Sequence, residues 1–230
     1  MNSAEAVVIF SGLLIATLVA TALLLKEPSD YARLFLFCGI AAATAVATLY
    51  LVADTIIHNQ TSVTRGPVHW HADFEIWNCG QEADLVDPRG LANRIGTPVL
   101  HEHGDNRVHV EGVVAELSEM SLGNFFRVIG GEMTANSLRL PTNDGLVTIE
   151  NNAKCGNETA RLQVFAYRTE GKTAKQTKLD DFSNYVLSPR SQIPPGDCLI
   201  IEFGPVKEKT DKLCNFYEIA IKKGDLQRGY

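Results

Sequence analysis

The sequence predicts an α+β protein, with an N-terminal two-helix transmembrane hairpin followed by a β-rich, β-grasp-like extracytoplasmic domain. Three observations carry that expectation. Two runs of 20 uncharged, mostly apolar residues, Ala6–Leu25 and Leu34–Ala53, lie within the first 57 positions. Beyond them come short alternating runs separated by Gly, Pro, Asn and Asp, the pattern of strands and turns. One stretch near Leu122 instead repeats apolar residues at helical spacing.

Each apolar run, as a helix, reaches across a hydrocarbon core of about 30 Å. We place the helices at about 6–25 and 34–54, within a membrane segment 1–57. The leader MNSAEA has no Lys or Arg, and its apolar run is longer than a signal-peptide core, so an uncleaved anchor is expected. The connecting KEPSDYAR holds Lys26 and Arg33, whereas no basic residue precedes Ala6. Positive-inside counting therefore puts that loop in the cytoplasm and residues 58–230 outside a cell membrane crossed twice. Gly12, Ala16 and Ala20 recur every four residues, as do Gly39, Ala43 and Ala47, a spacing that lets helix backbones approach closely. Ala and Gly are also simply common in membrane helices.

The outer segment, in order, starts with a linker, 58–67, ending in Gly66-Pro67. Val68–Trp77 alternates strictly and predicts a half-buried strand. Asn78–Pro98, rich in Gly, Pro, Asp and Asn, reads as loop. Val99–His103 and Arg107–Val114 flank Gly104-Asp105-Asn106 as a hairpin. Ser118 reads as an N-cap, followed by Leu122, Phe125, Phe126 and Ile129 on one helix face and Gly130-Gly131 as the stop. Ser137–Leu140 and Leu146–Glu150 form a second hairpin about Thr142-Asn143-Asp144-Gly145. Arg161–Thr169 alternates as a strand, and Leu179, Phe182 and Tyr185 suggest a helical turn. Pro194-Pro195-Gly196-Asp197 turns into the apolar strand Cys198–Phe203. The tail Lys209–Lys223 fits a helix or a strand. From about residue 107 to 204 the order resembles a β-grasp unit, to whose edge the Val68–Trp77 strand would add.

Net charge is −6 over 230 residues, and from position 58 onward 19 basic residues face 23 acidic ones. With no basic run to track a phosphate backbone, nucleic acid is excluded as a partner class. Cys38 lies in the second apolar run. Cys79, Cys155, Cys198 and Cys214 all fall in the outer segment, which predicts two disulfides with three possible pairings. No CxxC occurs, which argues against dithiol oxidoreductase chemistry. Asn59-Gln60-Thr61 and Asn157-Glu158-Thr159 match the N-glycosylation tripeptide.

Five of six histidines, His69, His71, His101, His103 and His109, crowd into HWHADFEIW and VLHEHGDNRVHVEG. On the first strand His69, His71, Asp73 and Glu75 share the polar face. In the hairpin a three-residue loop sets His101 opposite His109, and a register two residues longer sets His103 there. Either pairing brings two imidazoles about 5 Å apart. A histidine on a polar strand face is usually only solvated, and we read His58 so. The five together predict a metal site. Imidazoles without thiolate suit copper or zinc. Asp73 and Glu111 are candidates to orient the rings, with Glu75 and Glu102 behind them.

HWHADFE overlaps the first half of a cupin motif, with Glu75 and Gly80 following. The spacing to Gly80 is shorter than cupins use, and the second cupin motif is not recognisable. A closer resemblance is to a group of membrane-anchored archaeal and bacterial proteins whose outer domains share four motifs. Here these are His69-Trp70-His71-Ala72-Asp73-Phe74, then His101-Glu102-His103-Gly104-Asp105 with His109-Val110-Glu111, then Leu122-Gly123-Asn124-Phe125-Phe126, and last Gly196-Asp197-Cys198-Leu199-Ile200-Ile201-Glu202-Phe203-Gly204. The likeness covers most of 68–204 and implies an extracytoplasmic His-rich domain. Some members carry a protein-disulfide-isomerase label, which the missing CxxC does not support here. Arg107 and the long Gly80–Thr97 segment depart from the pattern.

Three functional expectations follow. The leading one is a membrane-anchored metal-binding protein, for metal handling or as an accessory subunit of a membrane complex. The alternatives are an interaction module of a membrane assembly with hydrogen-bonded histidines, and a cupin-like or hydrolytic metalloenzyme.

Overall fold

The computed structural model describes residues 3–187 and 196–229, and these divide into two units at Thr61/Ser62. The first unit is helix α1 (Ser3–Leu24) followed by helix α2 (Asp30–Thr61). Both are long and apolar enough to cross a membrane by length and composition. They lie against one another, and at Gly39 an added Cβ would come within 3.0 Å of Leu18 Cδ1. At Gly12 nothing lies within 4 Å of an added Cβ. Helix α2 continues past the apolar run through His58 to Thr61.

The second unit is β-rich. Its strands are β1 (Pro67–Asn78), β2 (Gln81–Glu82), β3 (Ile95–Gly96), β4 (Leu100–Glu102) and β5 (Arg107–Val113). A 3₁₀ turn, Leu117–Met120, leads into α3 (Leu122–Val128). Then come β6 (Glu132–Met133), β7 (Ser137–Thr142), β8 (Gly145–Glu150), β9 (Lys154–Cys155), β10 (Glu158–Thr159), β11 (Arg161–Glu170), β12 (Thr173–Leu179) and β13 (Cys198–Gly204). Helix α4 (Asn215–Lys223) and β14 (Gln227–Arg228) end the chain.

The main sheet runs β14-β12-β11-β13-β1-β5-β4-β3, with β2 paired to the end of β1. The His-bearing strand β1 is therefore central, not an edge addition: it pairs parallel to β13 and antiparallel to β5. Its apolar parity explains the position. Ala72, Phe74 and Ile76 are buried with Leu199 and Ile201 of β13 and Val108 and Val110 of β5, and an edge would leave that surface half covered. Helix α3 and the β6–β8 sheet contribute Phe125, Phe126, Leu138 and Leu140 to the same core. On the opposite face a second core joins Phe165, Tyr167 and Ile200 to Leu213, Tyr217 and Ala220 around α4. Cross-strand register puts Asp73 beside Cys198 and Glu75 beside Ile200. The histidine face of β1 is thus the α4 face of the sheet.

Several local expectations change. Ser121, not Ser118, caps α3, its side chain accepting from Asn124 N. Of the apolar trio Leu179, Phe182 and Tyr185, the last two bracket a single hydrogen-bonded turn, Tyr185 N donating to Phe182 O, with no helix. Leu179 ends β12, which pairs with β11 across a Gly171-Lys172 turn, and Val186 bridges to Ser121. The Thr173–Leu179 strand has a mostly polar sequence, so its hydrophobic signal is weak. The tail resolves as helix, with Gly224 left-handed at its C-cap. Pro194 and Pro195 lie outside the described residues. Disulfides join Cys79 to Cys155 and Cys198 to Cys214, the latter tying the start of α4 to β13.

Candidate metal centre

Strand β5 assembles the histidines. His71 of β1 is paired with His109 from one side, and His101 of β4 with the same His109 from the other. His69 stands opposite Glu111. Since residues two apart on a strand share a face, these side chains project together from the sheet. His103 lies just past β4, with its ring 4.7 Å from that of His101 and 4.8 Å from that of His109. Centroids of His71 are 4.7 Å from both His69 and His109. All five predicted histidines are in one group.

Within it are two sets of three, His69/His71/His109 and His101/His103/His109, each with one ligand atom per residue within 4.8 Å of the others. Donors on one tetrahedral ion with bonds of about 2.1 Å stand roughly 3.4 Å apart. His101 Nε2 and His103 Nε2 are in contact at 3.1 Å.

The hydrogen bonds set which nitrogens are bare. His103 Nδ1 meets the Asn93 carbonyl oxygen, which can only accept, so Nδ1 carries the proton and Nε2 keeps its lone pair. His101 Nε2 then donates to it, leaving His101 Nδ1 bare. His109 Nε2 meets Asp105 Oδ2 at 3.2 Å, which places that proton on Nε2 and leaves Nδ1 bare. His101 Nδ1 and His109 Nδ1 are both buried with no hydrogen-bond partner among the described residues. Unsatisfied buried acceptors are rare in folded proteins and call for a ligand or a function.

Burial favours the neutral form, the one that binds metal, at His71, His101 and His109. Burial, helped by the nearby His109 ring and the Arg107 guanidinium, pushes His71 down to about 4. Burial also lowers His101 and His109, against the opposing pull of Glu111 and Asp105.

The four carboxylates singled out in the sequence take different places. Glu111 Oε1 lies 3.1 Å from His69 Nε2, and its Oε2 lies 3.9 Å from His101 Nε2. Asp73 turns to Arg107, whose Nε is 2.6 Å from Oδ1. Burial raises the Asp73 carboxyl, and the Arg107 contact opposes that rise. Glu75 accepts from the Trp77 indole at 2.9 Å. Glu102 accepts from the backbone N–H groups of Asp105 and Asn106 and so shapes the hairpin turn. Arg107 also stacks over Phe216 of α4, 3.9 Å from the ring centre.

The sequence assigns no role beside the rings to Asp105, which it places only in the hairpin turn and motif, nor to Asn93 or the Arg107–Phe216 contact. Asp105 was legible in principle, being a carboxylate four residues before His109 in a tight turn. Asn93 acts through its backbone and left no side-chain signal. Comparison with protein-family models, curated proteins and solved structures returned no match.

Proposed function

We propose that this chain is a membrane-anchored protein whose outer domain binds a copper or zinc ion at the histidine cluster, for metal handling or as an accessory subunit of a membrane complex. The observation that carries the reading is the pattern of bare nitrogens: His101 Nδ1 and His109 Nδ1 are buried without a hydrogen-bond partner among the described residues, and an oxygen acceptor, Asp105, holds the other nitrogen of His109. Oxygen acceptors behind ligating imidazoles are the usual way proteins orient such rings. The donor set favours Cu(II) or Zn(II), because the four cysteines of this unit are paired in disulfides and offer no thiolate.

Two crossings by α1 and α2 would put residues 62–230 on the side opposite the Lys26/Arg33 loop. The disulfides support that side as an oxidising compartment. Membership in the membrane-anchored His-rich family belongs to the same proposal, supported by the four motifs. A β-grasp-like core is supported by the mixed sheet holding α3 on one face.

The competing reading is a hydrogen-bonded structural cluster, favoured by the His101–His103 contact. Thermal unfolding of the full chain in detergent separates the two. An ion at 100 times its Kd stabilises by about 2.7 kcal/mol, so added Cu(II) or Zn(II) raises the midpoint. An unchanged midpoint with both ions favours the structural reading.

A further inference from the structure

The two sets of three histidines share one residue, and resting on the metal reading above, we propose that they are two alternating seats for a single ion, with His109 as the common ligand. The outer seat is His69, His71 and His109, and the inner one is His101, His103 and His109. His109 has one lone pair to give, because Nε2 carries the proton that faces Asp105. A single donor atom serves one ion at a time, so the seats fill alternately.

Burial gives the seats different roles. The His69 side chain is 63% exposed, whereas that of His101 is 1% exposed. The outer seat faces solvent, where an ion enters or leaves, and the inner seat lies deeper, at the buried His101. During the swap His109 stays bound while the other two imidazoles exchange one by one, so the ion is not released. Glu111 reaches one ring of each seat through its two oxygens. It is placed to orient whichever ring is taking the ion, as carboxylates behind ligating histidines do. The device suits a protein that receives an ion and passes it on.

Copper(II) titration of the full chain in detergent, read by electron paramagnetic resonance, tests this. The unmodified chain should hold one equivalent, with a spectrum that is the sum of two nitrogen-ligated species. His69→Ala with His71→Ala should keep one equivalent showing only one of those species, and His103→Ala, which spares the buried His101, should keep one showing the other. The overall binding constant is the sum over both seats, so whichever variant loses the weaker seat binds at most about twofold less tightly. His109→Ala, common to both, should weaken binding more than either. Circular dichroism checks folding, with His103→Gln standing in should His103→Ala unfold. Two equivalents with coupled spins on the unmodified chain would overturn the proposal, as would loss of all copper from either seat variant. Failure of the unmodified chain to take up copper overturns the two-seat proposal, and failure to take up zinc as well overturns the metal reading.

Discussion

His101 and His109 occupy directly opposed positions on β4 and β5, and their rings stack with centroids 5.5 Å apart and planes 7° apart. Imidazoles this close repel when both are protonated, so the arrangement disfavours double protonation. Each has one buried nitrogen without a partner.

Glu111→Gln keeps the shape of the side chain but removes the charge behind His69 and His101. Loss of such an orienting carboxylate typically costs about 10–100-fold in metal affinity. Competition against a chelator of known affinity reads the change. Asp105→Asn should act similarly, because its amide can donate and so permits the wrong His109 tautomer.

Acid should destabilise the metal-free chain. His71, His101 and His109 have folded values below the ordinary 6.5, with His71 near 4. Between pH 6.5 and 4 the unfolded chain therefore binds more protons than the folded one, and stability falls as pH falls through that window. Asp73 and Glu102, raised by burial, act with the opposite sign and soften the loss at its lower end. Urea unfolding at stepped pH, without metal, measures the slope, and His71→Gln should flatten it.

Arg107→Ala should be among the most damaging single changes near the site. It leaves Asp73, 2% exposed, without its ion pair, and breaking a buried pair from one side costs about 3–5 kcal/mol. It also removes the Arg107–Phe216 stack between β5 and α4. Pairing it with Asp73→Asn should recover part of the loss, which a double-mutant cycle by chemical denaturation would show.

Gly196→Ala should disturb the site from a distance. At this glycine φ is +84°, and an added Cβ would lie 1.5 Å from the His71 carbonyl oxygen. Strand β13 can then no longer enter the sheet beside β1, and the His71 backbone must move. Lower thermal stability together with weaker metal retention is the expected pair of effects.

Much of this was readable from periodicity. Strict alternation over Val68–Trp77 identified β1 and its two faces, and the Leu122/Phe125/Phe126/Ile129 spacing identified α3. The His101–His109 pairing was one of two registers that the hairpin allowed. What the residues did not reveal is that β1 lies against β5 and β13. That contact is non-local, decided by how this apolar face buries against strands far along the chain: Ala72 pairs with Val108, 36 positions on, and Phe74 with Leu199, 125 positions on. The disulfide pairing depends on the same long-range packing. Strand β12 was missed because Lys175, Gln176 and Lys178 give it little apolar signal, and its pairing with β11 is what makes it a strand. Ser118 and Ser121 are both plausible caps in isolation. Ser121 caps because its φ and ψ are extended where α3 begins.

Elemental analysis of the full chain, purified in detergent without chelator or an added histidine tag, decides whether the histidine cluster holds metal. Close to one equivalent of copper or zinc is expected, lost in His109→Ala. No bound metal, and none taken up from either ion at saturating concentration, would contradict the metal reading and leave the five histidines as a hydrogen-bonded cluster.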